Sequence, residues 1–213
     1  MALGRDKADN KTEAPEREIT GFSRTLDILG DAPILLILES YWLGTRRFDA
    51  FVRQTGLIKT VVSDRLARLV DQGFMQKVRY SERPERFEYR GCDKLNDLFP
   101  VALCMLHWEK AWGRKSDVTH VRLTHVNCGE ESDPYPVCCV CDEDVQARDV
   151  VFNISASDLH GSYARRRRQT RATDARMGPT TLMDDIIRIM GDRWSALILL
   201  SVQNEIRGFQ DIG

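Results

Sequence analysis

The sequence predicts a mainly α-helical fold carrying one small β-hairpin, and two adjacent stretches carry that prediction. In the first, from Gly56 to Gly73, the residues Val62, Leu66, Leu69 and Val70 recur on one helical stripe, while Lys59, Thr60, Ser63, Asp64, Ala67 and Arg68 fall outside it. The stripe has to pack, and the polar face is left to touch something else. In the second, Phe74 to Tyr80 and Glu85 to Tyr89 alternate like two strands around Ser81-Glu82-Arg83-Pro84. A helix that stops at a glycine and runs into a charged hairpin is the winged helix-turn-helix pattern.

The elements before and after it follow in order. Residues 1–18 are polar and unpatterned, as in a mobile tail. Ile19 to Leu29 reads as a helix that turns Phe22, Leu26 and Leu29 to a core, and Gly30-Asp31 ends it. Pro33, well placed at a first helical position, opens a second helix to Tyr41 through Ile34, Leu35, Leu36, Ile37 and Leu38. That run is apolar nearly all round, which makes it the central core helix. Thr45 is placed to cap a third helix from Arg46 to Thr55, ahead of the helix over residues 59–71 and the wing over 74–90. Lys94 to Trp112 reads as a last helix whose Leu95, Leu98, Leu103, Leu106 and Trp108 form a broad apolar face, covering its own domain or a dimer interface. The winged-helix domain then spans residues 19–113.

Charge is polarised along the chain although its net value is only −1. From Thr45 to Arg90 eleven Arg and Lys face six acids, whereas from Asn127 to Asp149 seven acids face Arg148 alone. The basic excess falls on the helix and hairpin that would meet phosphates, which points to nucleic acid. On this reading Lys59, Thr60, Ser63 and Asp64 face bases. Arg46, Arg47, Arg65, Arg68, Lys77, Arg79, Arg83 and Arg86 face phosphates or the minor groove, with an ion pair to Asp49 or Asp64 as the competing role for Arg65. Neither a signal peptide nor an apolar run near the ~20 residues of a membrane span is present, so the expected location is cytoplasmic.

The order of these elements and their wording resemble the HxlR family of bacterial winged-helix transcription regulators. The resemblance covers roughly Phe22 to Trp112 and is closest at Leu29-Gly30-Asp31, Arg46-Arg47-Phe48, Ser63-x-Arg65-Leu66-x-x-Leu69 and Arg83-Pro84-x-Arg86-x-x-Tyr89. It implies a homodimer on double-stranded, pseudo-palindromic DNA, with the helix matching Lys59 to Asp71 in the major groove and the hairpin along the flanking backbone. Two departures stand out. The family usually carries Trp where this copy has Pro33, and several members sense electrophiles through a cysteine before the first helix, whereas the first cysteine here is Cys92.

Residues 114–160 differ in kind. His125-x2-Cys128 and Cys138-x2-Cys141 have ligand spacing, nine residues apart, in a chain without an export signal. A zinc-ribbon-like segment holding one structural zinc through His125, Cys128, Cys138 and Cys141 is the expectation, with a loose thiol cluster or a former site as the alternative. Cys139 follows Cys138 too directly to reach the same ion at tetrahedral angles. His107, His120 and His160 lack partners at ligand spacing and read as ordinary histidines. Residues 161–179, with Arg165 to Arg168 and Arg171, read as a linker that either tracks phosphate or merely solubilises.

From residue 180 the tail repeats the head. Ile189, Gly191, Asp192, Leu197, Ile198, Leu199, Ser201, Arg207 and Phe209 match Ile28, Gly30, Asp31, Leu36, Ile37, Leu38, Ser40, Arg46 and Phe48 at one offset of 161 residues. Residues 180–213 therefore read as a partial second winged helix. Leu182 to Val202 should form two helices whose Ile186, Ile187, Met190, Leu197, Leu199 and Leu200 need a partner surface. The expected function is sequence-specific DNA binding that regulates transcription, without catalysis. Its rival is a protein-interaction module that uses winged helices and a zinc knuckle for assembly; a zinc hydrolase is the weaker third reading.

Overall fold

The computed structural model describes residues 21–114, 122–150, 182–192, 194–196 and 198–199. The expected tail over 1–18, His120, His160, the arginine linker and the repeat positions from Leu200 onward lie outside the described residues.

Helix α1 (Gly21–Leu29) leads into α2 (Ala32–Trp42), whose N-cap Asp31 accepts the Ile34 N–H on its side chain at 3.1 Å. Every residue from Ile34 to Ser40 in α2 is buried, as an all-round apolar run requires. Helix α3 (Phe48–Thr55) starts two residues later than expected, and Arg47 rather than Thr45 is its N-cap. The physical reason lies in Arg46, whose guanidinium donates to the carbonyls of Tyr41 and Thr45 and stacks 3.8 Å over the Tyr41 ring. That clamp keeps the chain extended through the position where a Thr45 cap would have turned it. Gly56, at φ +68, then reverses the chain into α4 (Lys59–Asp71).

The α4 stripe packs as read. Val62, Leu66 and Leu69 are fully buried against α2 and α3, each contributing about 1.5 to 3 kcal/mol by removal from water. Gly73, at φ +73, ends the turn after α4 and lets β1 (Met75–Glu82) pair antiparallel with β2 (Glu85–Gly91) around a tight Arg83-Pro84 turn. The register slips between Arg79 and Ser81, a bulge that twists the outer half of the wing. Two bonds fix the wing to the helices: the Tyr89 N–H donates to the Arg46 carbonyl at 2.7 Å, and the Gly91 N–H donates to the Tyr41 hydroxyl at 2.8 Å.

The expected helix from Lys94 to Trp112 is two helices, α5 (Asp93–Asn96) and α6 (Phe99–Trp112). Pro100 sits in the first turn of α6; without an N–H it cannot donate to the Asn96 carbonyl, and its ring crowds that oxygen, so the helical ladder breaks there although Asp97 and Leu98 keep helical dihedrals. Beyond α6, β3 (Leu123–Thr124) and β4 (Glu131–Ser132) form a second small hairpin, followed by a 3-10 turn at Ala147–Asp149. Helix α7 (Asp184–Met190) lies across α2 and α6, with Ile186 and Ile187 buried in the same core as Leu35 and Leu66, and residues 194–196 and 198–199 beyond it are helical too. No helix among the described residues is long and apolar enough to cross a membrane.

Candidate DNA-binding face

Helix α4 presents Lys59, Thr60 and Ser63 exposed, on the side opposite its buried stripe. None of the three side chains makes a hydrogen bond or ion pair among the described residues, so their polar atoms are open to an external partner. Asp64 is exposed too, but its carboxylate is bonded to Arg65. The wing adds Lys77, Arg79, Arg83 and Arg86, all exposed. Arg83 and Arg86 extend from the tip; Lys77 stacks 4.3 Å over Phe87, and Arg79 stands 3.6 Å from Glu85 and 3.9 Å from Glu82. Arg47 lies 4.7 Å over the Tyr80 ring, which joins the start of α3 to the wing.

Three of the residues grouped with the phosphate contacts are used otherwise. Arg65 donates its Nε to both oxygens of Asp31, at 2.9 and 3.1 Å, and also bonds Asp64; of the two partners the sequence offers, Asp64 is engaged, and Asp31 stands where Asp49 was expected as the alternative. Arg68 donates to the Asp27 carbonyl and approaches Asp31 at 4.0 Å. Arg46 is spent on the α2–α3 turn described above. The reason is common to all three: each sits where α4 or the turn faces the scaffold, and a buried acidic or carbonyl oxygen there needs a donor. Asp31, almost fully enclosed, is that oxygen source for α4. Burial works against the Arg65 charge, yet the bonds and field of Asp31, then those of Asp64, outweigh it and hold the guanidinium above its ordinary range. The clamp sets the orientation of α4, and nothing in sequence spacing links residues 34 positions apart.

The cysteine segment is built as two separate turns. His125 Nδ1 lies 3.3 Å from Cys128 Sγ in the β3–β4 turn, where Gly129 takes φ +78. Cys138 is bonded to the backbone of Val140 and Cys141 and to the Cys141 thiol, in a turn closed by the Val137–Asp144 bridge. The structure brings the expected ligands together as two pairs; among the described residues no three His, Cys, Asp or Glu side chains gather closely enough to hold one ion. No described side chain from Arg122 to Val150 is buried, and Val126, Tyr135 and Val140 are exposed. His107, expected to be ordinary, stands 3.4 Å from Asp133. Lys110 beside Asp133, more than His107, holds that carboxyl below its usual range.

This geometry has known counterparts. A family model of HxlR-like helix-turn-helix proteins matches residues 28–117. Two uncharacterized HTH-type transcriptional regulators, Mb3122 of Mycobacterium bovis and Rv3095 of Mycobacterium tuberculosis, are each 35% identical over 127 residues, which is 60% of this chain and 80% of theirs. The crystal structure of PA1607, a candidate transcription factor, matches with a TM-score of 0.55 at 28% identity, over 68% of this chain and 97% of that one. The family is one of DNA-binding regulators and not an enzyme class. With a helix-turn-helix, a wing and relatives matched over most of their length, this chain belongs to the HxlR-like helix-turn-helix family of DNA-binding transcriptional regulators.

Proposed function

We propose that the chain reads a specific duplex sequence with Lys59, Thr60 and Ser63 in the major groove, while Arg47, Lys77, Arg79, Arg83 and Arg86 hold the flanking backbone, and that it does so without catalysis. The observation that carries this reading is the split of α4 into a fully buried stripe and an exposed face of unbonded polar side chains, beside a wing of exposed cations. Base contacts specify and phosphate contacts position. Thr60→Ala or Ser63→Ala is therefore expected to reduce discrimination between a selected site and random duplex by about 1 kcal/mol, at the low end for a base contact. Arg83→Ala should weaken both duplexes alike and lower the salt slope by about 1. Mobility shifts at two salt concentrations measure this; equal losses on both duplexes for all three variants would return the function to protein assembly. The homodimer implied by the family would set two such faces on two half-sites.

The same reading includes zinc at His125, Cys128, Cys138 and Cys141, without Cys139. Its support is the exposed apolar side chains from Arg122 to Val150, since so small a unit without a core needs a staple. Each turn already holds two donors of the right chemistry. Zinc there would be structural, tying the two turns together. Metal analysis should find one zinc per chain, and a chelator should loosen residues 122–150 while α2 to β2 keep their amide protection. Metal-free protein with an unchanged exchange pattern over 122–150 would dismiss the site.

A further inference from the structure

We propose that the segment from Leu182 to Leu199 is the start of a second winged-helix unit docked on the first about an in-chain twofold axis between Asp31 and Asp192, so that the surface of α1, α2 and α6 is a binding surface for a unit of the same kind, supplied by this chain. Asp31 and Asp192 are equivalent positions in the repeat, and they face each other in an antiparallel bridge. Equivalent residues opposite one another are what an isologous contact produces.

The local bonds repeat with the same offset. Gly30 N–H donates to the Leu26 carbonyl at 2.8 Å, and Gly191 N–H donates to the Ile187 carbonyl at 2.8 Å. Leu35 N–H donates to the Asp31 carbonyl at 3.1 Å, and Ala196 N–H donates to the Asp192 carbonyl at 3.3 Å. Both aspartates also accept on their side chains, one position apart in the repeat: Asp31 from Ile34, and Asp192 from Trp194, whose counterpart Pro33 has no N–H to give. α7 thus takes the place of α1 in the second unit.

The packing is reciprocal as well. Leu26 of α1 packs with Ala196, and their repeat equivalents Ile187 and Leu35 lie together in the main core, where α7 meets α2. At the axis the Ala32 N–H donates to the Gly191 carbonyl at 3.1 Å. A Cβ on Gly191 would stand 2.5 Å from the Ile187 carbonyl oxygen of α7 itself and 2.6 Å from both Cα and Cβ of Ala32, so the end of α7 and its approach to α2 together admit only glycine there.

Polar contacts distinguish this from casual packing. The buried Glu39 carboxylate of α2 accepts the N–H groups of Leu182 and Met183 at 2.6 and 3.1 Å. Buried Glu109 of α6 accepts those of Asp185 and Ile186 at 3.3 and 2.8 Å. Arg114 closes the far side on Asp184 and Asp185. In the sequence repeat the counterpart of Glu39 is Leu200, so the carboxylate belongs to the first unit alone and gives the docking a direction.

Hydrogen exchange on the 213-residue chain, in the absence of DNA, tests the inference separately from the DNA reading. The amides of residues 182–192 should be protected to the same degree across a hundredfold range of protein concentration. Gly191→Ala should lower that protection at least tenfold. Ala196→Glu, at the reciprocal contact, should loosen α1 and α7 together. In both variants α4 and β1 should exchange as in the parent, which separates undocking from failure to fold. Protection that rises with concentration would mean docking between chains and overturn the in-chain arrangement. Unprotected amides in the parent, or an Ala196→Glu variant that loosens neither α1 nor α7, would overturn the twofold.

Discussion

Arg65→Ala is expected to destabilise the protein by about 3 to 5 kcal/mol, more than its partner substitution Asp31→Ala. Removing the guanidinium strands a carboxylate that is only 2% exposed, with the Ile34 N–H and a distant Arg68 as its remaining donors. Removing the carboxylate instead loses the α2 cap and the pair, yet Arg65 is partly exposed and keeps Asp64, so about 2 to 3 kcal/mol is expected. Asp31→Asn, which retains the cap acceptor, should fall between Asp31→Ala and the parent. Urea unfolding of the three variants measures the order. Were Arg65→Ala as stable as the parent but one unit shallower in salt slope on DNA, Arg65 would be a phosphate contact after all.

Stability is expected to fall as pH rises from about 4.5 to 7, by up to about 3 kcal/mol from Glu39. Burial foremost raises the Glu39 carboxyl from 4.5 to about 7; the Leu182 and Met183 N–H groups oppose this, and the charges of Glu109 and Asp184 add to it. Between those two values the folded chain keeps a proton that the unfolded chain has lost, so the folded state binds more protons and rising pH favours unfolding. The contribution is fully present below about 4.5 and is lost as pH passes 7. Both N–H bonds go to the same oxygen, Oε1, which leaves the other to carry the proton without breaking either. Asp185, held below its usual range by Arg114, acts with the opposite sign at lower pH. Glu39→Gln keeps the acceptor and removes the titration, so its unfolding free energy should be flat between pH 5 and 8, where the parent's declines. A parent profile as flat as that of the variant would refute the assignment. Exchange at α7 amides across the same range shows whether the loss is local to the docked helix.

Much of this architecture was legible in periodicity. The stripe of Val62, Leu66 and Leu69, the all-apolar second helix and the alternation around Arg83-Pro84 each impose one local structure, because burying the apolar residues has one geometric solution at periods of 3.6 and 2. The exposed face of Lys59, Thr60 and Ser63 followed from the same stripe, as its complement. The break before Pro100 was also written in the chain, but the long apolar face around it overrode the proline in the reading.

Local pattern could not reveal which partner a charge would find. Arg46, Arg65 and Arg68 share the composition of a phosphate-binding set, yet Arg46 bonds the nearby Tyr41 and Thr45 carbonyls, and only the packing of α4 against the α1–α2 corner brings the Asp31 carboxylate and the Asp27 carbonyl within reach of Arg65 and Arg68. Glu39 sits in an apolar run that gives no reason for a carboxylate; its reason lies 143 and 144 residues away, in the backbone N–H groups of Leu182 and Met183 just ahead of α7. Sequence by itself determined the elements and the surface they leave open, since hydrophobic period and turn chemistry act within a few residues. Tertiary structure alone decided which ions are paired and where α7 docks, because a buried charge is satisfied by whatever the fold brings within about 3 Å, regardless of distance along the chain.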